Sequence, residues 1–256
     1  MVFKTCGNDK NPAVLFFHAM GVTGESSERV AEFMKDRYFC IMPTSSVYTD
    51  EGYESKREEV RELEEFLVSR EIKKLSLVVA SSIGTDLAMD FLSKTSSAVG
   101  YVFFDGGQFA QIGRLSRYLM VPFLYLAIKS IYWTHGRSLK RIMWCSDDEI
   151  KPYFIAAGKS LSYKSLCRQL SDSLENKPFW QFQPHVQRRM FFGFGSVEEH
   201  IKYRDAVMKA YPEGHFPVFR GYRHMEYQIK DPKGFADMLC FIIEHGRMPD
   251  LESLEK

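Results

Sequence analysis

The chain has 256 residues, 45% of them hydrophobic, and a formal net charge of +1. That length holds one sizeable α/β core with room for an inserted subdomain. The charge balance excludes a global bias toward nucleic acid or acidic partners. The five cysteines (Cys6, Cys40, Cys145, Cys167, Cys240) show no C-x-x-C pair and no metal-ligand spacing. Free thiols in a reducing compartment are expected, with no metal and no cofactor. Met1 to Lys10 is polar and lacks the apolar core of a signal peptide. The longest apolar run, Tyr118 to Ile128, is short of the roughly 20 residues that span a bilayer. The expectation is a soluble cytoplasmic protein.

In chain order, Ala13–Phe17 reads as a strand, Glu25–Asp36 as a helix, and Tyr38–Met42 as a strand stopped by Pro43. Glu54–Arg70 is a charged amphipathic helix with Val60, Leu63, Phe66 and Leu67 as its stripe. Strand Leu75–Ser81, helix Thr85–Lys94 and strand Tyr101–Phe104 follow. Alternating βα units with continuously apolar strands imply a parallel sheet covered on both faces.

The pattern breaks after Gly106-Gly107. From about 108 to 185 the chain reads as mostly helical and holds all three tryptophans. Between Gly106 and Ser146 there are six Lys or Arg and no acidic residue. Tyr118–Ile128 is apolar all round, with Pro122 starting or kinking a helix. Buried packing accounts for such a run, although part of it could line a pocket. The basic excess fits an anionic substrate group, a membrane surface, or a solvated face balanced by the acids of Glu54–Glu71; the last is preferred. The alternation then resumes with strand Arg189–Phe194, helix Glu198–Ala210 and strand Phe216–Arg220. A final helix opens on Asp231 as N-cap and Pro232 at the first position. The expected division is a core of 1–107 and 186–256 with an insert of 108–185.

The chemistry centres on Ala80-Ser81-Ser82-Ile83-Gly84. An apolar strand ends on a serine with small residues two places before and two after it, and a helix follows. That is the pattern of a strained nucleophile elbow with Ser82 at its apex. Ser81 would place Val79 and Ile83 where small side chains are needed. The competing reading is a strand–helix turn with two ordinary serines. The Ile83 amide can face a developing oxyanion, helped by the helix N-terminus. Upstream, His18-Ala19-Met20-Gly21-Val22-Thr23-Gly24 follows a strand and can offer the Met20 amide as a second donor. His18 would then orient this loop. A phosphate loop is disfavoured because its lysine is missing.

A base is expected in the loop after the last strand, where His224 stands alone among seven histidines. His200 and His245 fall within helices, His215 at the wrong strand end, and His135 and His185 in the insert. An acid is expected near Gly195–Glu199. Ser196 and Glu199 fit a capping box, which leaves Glu198 as the preferred acid. Glu199 and Asp105 remain alternatives.

Loop, serine elbow, acid and histidine arrive in an order that resembles the α/β-hydrolase superfamily. The resemblance covers nearly the whole chain outside 108–185. It implies a doubly wound, mostly parallel sheet of eight strands with a helical cap inserted after the sixth. The short start, Val2 to Cys6, leaves room for one of the two usual leading strands. Ala80 replaces the first elbow glycine, Ala19 replaces a glycine after His18, and Glu stands where Asp is commoner. The implied activity is that of a serine hydrolase acting on a small hydrophobic or aromatic ester through an acyl-enzyme. Ser82 would be nucleophile, His224 base, Glu198 its partner, and Met20 and Ile83 the oxyanion donors. A lyase or carbon–carbon bond hydrolase of the same fold, or a non-catalytic binding protein, are the alternatives. The expected partner is a small-molecule substrate, without nucleic acid or membrane contact; the oligomeric state, including a homodimer, stays open.

Overall fold

The computed structural model describes residues 1–107, 109, 113–142, 148–173 and 179–250. Seven strands form one sheet in the order β1-β3-β2-β4-β5-β6-β7. They are β1 (Val2–Cys6), β2 (Ala13–Phe17), β3 (Phe39–Thr44), β4 (Lys74–Ser81), β5 (Ala98–Asp105), β6 (Met190–Gly195) and β7 (Val218–Phe219). Only the β1–β3 pair is antiparallel. Pro43 does not end β3, because at Phe3↔Pro43 the strand meets only the short edge strand β1.

The sheet has seven strands where eight are expected. A single strand, β1, precedes β2, and a helical stretch follows the fifth strand of this chain.

The helices are α1 (Glu28–Ala31), α2 (Lys56–Ser69), α3 (Gly84–Lys94), α4 (Arg114–Trp133), α5 (Leu139–Ile142), α6 (Lys151–Ser160), α7 (Tyr163–Ser173), α8 (Pro184–Gln187), α9 (Arg204–Ala210), α10 (Glu226–Lys230) and α11 (Pro232–His245). Ser55 caps α2 by accepting the Glu58 amide at 3.2 Å. Asp231 caps α11 by accepting the Gly234 amide at 2.8 Å, with Pro232 behind it.

Successive strand residues point to opposite faces, and both faces are covered. Val14, Phe16, Leu77, Val79, Phe103 and Phe191 pack against α1 and α11. Leu15, Phe17, Val78, Ala80, Phe104 and Phe192 pack against α2, α3 and α9. This two-sided burial is why the strands read as continuous apolar runs. The stacked Phe104 and Phe192 rings, 5.0 Å apart, join β5 to β6 across the insertion point.

The insert helices α4, α6 and α7 pack on one another and onto the loops at the carboxyl ends of the strands. Val121, Ile128, Ala157, Leu161, Leu166 and Leu170 form one apolar cluster with Tyr48, Ile83 and Met20. A buried ion pair braces the same region: Lys56 Nζ meets Asp86 Oδ2 at 2.6 Å, both side chains under 10% exposed. Lys56 Nζ also donates to the Asp172 carbonyl at 3.3 Å, tying α7 to the core.

Candidate active site

Ser82 stands between β4 and α3 with φ +52°, a left-handed conformation uncommon for a residue with a side chain. Two hydrogen bonds hold it there. Its amide donates to the Asp105 carbonyl at 3.0 Å, and its carbonyl accepts the Thr85 amide at 3.1 Å. The turn demands small neighbours for a visible reason. A Cβ on Gly84 would stand 2.6 Å from the His18 carbonyl oxygen and 2.9 Å from that of Phe17, so α3 starts in backbone contact with β2. Ala80 is fully buried in β4, in register with Phe17 on one side and Phe104 on the other.

The upstream loop is rigid for equally local reasons. His18 Nδ1 donates to the Ala19 carbonyl at 2.7 Å, and His18 Nε2 accepts the Ser45 amide at 3.0 Å. That pattern requires a neutral ring, and burial lowers the His18 pKa to about 4. The Gly21 amide donates to the Tyr48 hydroxyl at 2.7 Å, and Gly21 takes φ +80°. Among the described residues the amides of Met20 and Ile83 have no hydrogen-bond partner.

On the other side, His224 Nδ1 donates to Glu198 Oε2 at 2.9 Å. Their loops are laced together. The Gly221 amide donates to Ser196 Oγ at 2.9 Å and the Val197 amide to the Tyr222 carbonyl at 3.2 Å. The Ser196 hydroxyl is thereby used between loops. The capping-box expectation fails, since Glu198, not Ser196, occupies the N-cap of the 3-10 turn Glu199–Tyr203. Glu199 is exposed, whereas Glu198 is buried. Met225, after the histidine, takes φ +58°, a second strained position at the site.

Asp105, the second alternative acid, lies within electrostatic reach of this pair. It is buried, and its Oδ2 accepts a hydrogen bond from Gln228 Nε2, which also donates to Ser81 Oγ at 3.0 Å. Gly106 joins the halves of the site. It follows the residue that holds Ser82, and a Cβ on it would collide with His224 Nδ1 and stand 3.0 Å from Glu198 Oε2. The structure thus brings Ser82, Asp105, Gly106, Glu198 and His224 to one end of β4, β5 and β6. No hydrogen bond from Ser82 Oγ to His224 is closed.

Burial dominates the electrostatics. It pushes the Asp105 carboxyl up to about 7, reinforced by the nearby Glu198 charge and opposed by His224 and Gln228. It pushes Glu198 up to about 7 as well, opposed by His200. His224 is lowered by burial, with Asp105 and Glu199 opposing. Two carboxyl groups therefore share one low-dielectric space behind a single imidazole.

His200 was set aside in the sequence as a helix residue. The structure places its ring 4.5 Å from that of His224, edge to face. Its Nδ1 donates to the Gly106 carbonyl at 3.1 Å. Its distance along the chain from Gly106 and His224 hid this role. A small pocket of about 30 Å3, lined by His18, Lys56, Glu59, Ile83, Gly84 and Gln169 among others, lies behind the elbow and does not include Ser82 in its lining. Among the described residues no group of three or more His, Cys, Asp or Glu side chains is placed to hold a metal.

The architecture has close counterparts among solved structures. A protein of Desulfitobacterium hafniense described as a putative alpha/beta hydrolase family protein superposes with a TM-score of 0.73, at 16% identity over 94% of this chain and 100% of that one. This is the α/β-hydrolase fold. A carboxylesterase structure from Nitrososphaera gargenis shares the fold at TM-score 0.67 and 13% identity, over 96% of each chain. Carboxylesterase CesB from Bacillus subtilis shares it at TM-score 0.67 and 12% identity, over 96% of this chain and 88% of that one. No protein-family model and no curated protein matches the sequence. Within the α/β-hydrolase fold, the strand ends that carry Ser82, Asp105 and Glu198 are those of β4, β5 and β6.

Proposed function

We propose that the protein is a serine hydrolase that cleaves a carboxylic ester of a small hydrophobic or aromatic substrate through an acyl-enzyme. The observation that carries this reading is the strained Ser82, hydrogen-bonded to Asp105, whose neighbour Gly106 lies against an imidazole already paired, at 2.9 Å, with a buried carboxyl group. Likeness in fold to two carboxylesterases favours an ester over other acyl bonds.

Ser82 Oγ attacks the ester carbonyl carbon as His224 Nε2 takes its proton. Glu198 fixes the Nδ1–H tautomer and stabilises the imidazolium. The amides of Met20 and Ile83 receive the oxyanion, and α3 points its N-terminus at the same place. The imidazolium protonates the departing alkoxide. Water, activated by the same histidine, then releases the acid. Met20, Ile83 and Val121 offer the acyl group an apolar wall. Insert 108–185 acts as the cap that sets specificity, and the free thiols Cys6, Cys40, Cys167 and Cys240 suit a reducing compartment such as the cytoplasm.

A panel of p-nitrophenyl esters of increasing chain length tests the reading. Turnover by the wild type, with loss of kcat of about a thousandfold or more in His224→Ala, is expected. A wild type that hydrolyses none of the panel overturns it.

A further inference from the structure

Helix α4 carries large apolar side chains on both its inner and its outer side. Inward, Val121, Ile128 and Ile131 are buried against Ile83, Phe154 and the neighbouring insert helices. Outward, Leu115, Tyr118, Leu119, Phe123, Leu126 and Trp133 are all more than half exposed, Phe123 at 75%. The sequence reading assigned this run to buried packing. The structure buries only its inner side. Residues 115, 119, 126 and 133 recur at helical spacing, so they form one line along the helix. Over the length of α4 that line runs about 30 Å. Single exposed apolar side chains are ordinary, but a continuous row marks a surface that something covers.

The charge of this stretch of sequence bears on what covers the row. Arg114, Arg117, Lys129, Arg137, Lys140 and Arg141 belong to a segment, Gly106–Ser146, without one acidic residue. The first described acids beyond it, Asp148 and Glu149, are engaged by Lys151 and Arg29. Arg137, Lys140 and Arg141 are exposed just past Trp133. A second copy docking through the same face would set this basic segment against itself. An anionic lipid surface is complementary in both respects: apolar side chains enter the acyl boundary while Lys and Arg meet phosphate. Tyr118 and Trp133 are the side chains that settle at headgroup depth.

We propose that α4 docks the protein on an anionic lipid bilayer, lying in the plane of the interface with its Leu115–Trp133 row inward. Among the described residues no helix is long and apolar enough to cross a membrane. The surface is independent of the chemistry at Ser82, and its test needs no turnover.

Flotation with phosphatidylcholine vesicles, with and without about one third phosphatidylglycerol, provides that test. The wild type is expected to float with the anionic vesicles only, and to be released as salt rises through the range that shortens the Debye length. The double variant L119D/F123D should lower the bound fraction roughly tenfold, and K140E/R141E should lower it comparably. Far-UV circular dichroism and the melting temperature, both unchanged, confirm that these surface variants fold. A wild type that stays soluble at low salt overturns the proposal, as does equal flotation with neutral vesicles. A light-scattering dimer dissolved by L119D/F123D, without vesicle binding, assigns the row to a second copy and overturns it too.

Discussion

Glu198 Oε2 accepts His224 Nδ1–H at 2.9 Å, and the two side chains come from loops joined to each other by backbone hydrogen bonds. Gly106 lies against both partners with φ +57° and no room for a methyl group. A Gly106→Ala variant should therefore displace the pair. We expect kcat/KM to fall about a hundredfold, the scale of an ångström-sized misplacement. Left-handed strain should also lower stability by roughly 1 kcal/mol. Ester kinetics and urea unfolding on one preparation check both.

Asp105 makes a prediction about pH and stability. Its carboxyl holds a proton up to about 7 in the fold, whereas an unfolded Asp releases it near 3.8. A raised acid means that the unfolded state ionises first. Stability is then lost as pH rises from about 4 to about 7, and the loss persists above that range. Glu198, also raised, adds to the same slope. Asp105→Asn removes Asp105's share, because Gln228 can turn its amide to present Oε1. The variant should gain up to about 4 kcal/mol over wild type near pH 8 and nothing near pH 4. Denaturant titrations at the two pH values decide it.

The same substitution tests the order in which these groups titrate. Asp105 keeps its proton up to about 7, whereas burial lowers the His224 imidazole below its ordinary value. Asp105 is therefore mostly neutral where His224 gains its proton. If His224 is the base, kcat/KM falls as pH drops through the titration of the Glu198–His224 pair, and Asp105→Asn should leave that acid limb in place. A limb that moves to lower pH would show that Asp105 is ionised there.

His200 holds the Gly106 carbonyl and packs edge-on against His224. His200→Phe keeps a ring and deletes the hydrogen bond. A bond of this kind is worth about 1 kcal/mol, so kcat should drop roughly fivefold while KM stays near its wild-type value. Steady-state kinetics with one short ester separate the two parameters.

Lys56→Met leaves Asp86 buried without its partner and should cost about 3–5 kcal/mol. The double variant Lys56→Met/Asp86→Leu should recover most of that loss, since a well-packed apolar pair often matches a buried ion pair. Thermal unfolding of the two variants checks the ordering.

The βα alternation was legible because each central strand is buried on both faces and its apolar run is continuous. The elbow was legible because Gly84 touches β2 backbone, a constraint that dictates a small residue in the sequence itself. Other features depend on tertiary neighbours. β7 is only two residues long, and α10 follows a strained Met225 that no local pattern announces. Ser196 and Glu199 match a capping box, yet Ser196 Oγ serves Gly221, 25 residues away. An apolar run cannot say which of its sides is covered, so the exposed row of α4 appears only in three dimensions. His200 acquires its place from Gly106, 94 residues distant.

The central claim, that Ser82 is an activated nucleophile, is tested most directly by reaction with a fluorophosphonate probe followed by peptide mass spectrometry. The account predicts one covalent adduct on the wild type, located at Ser82 and absent from Ser82→Ala. A wild type that gains no adduct, or an adduct that persists undiminished in Ser82→Ala, would contradict it.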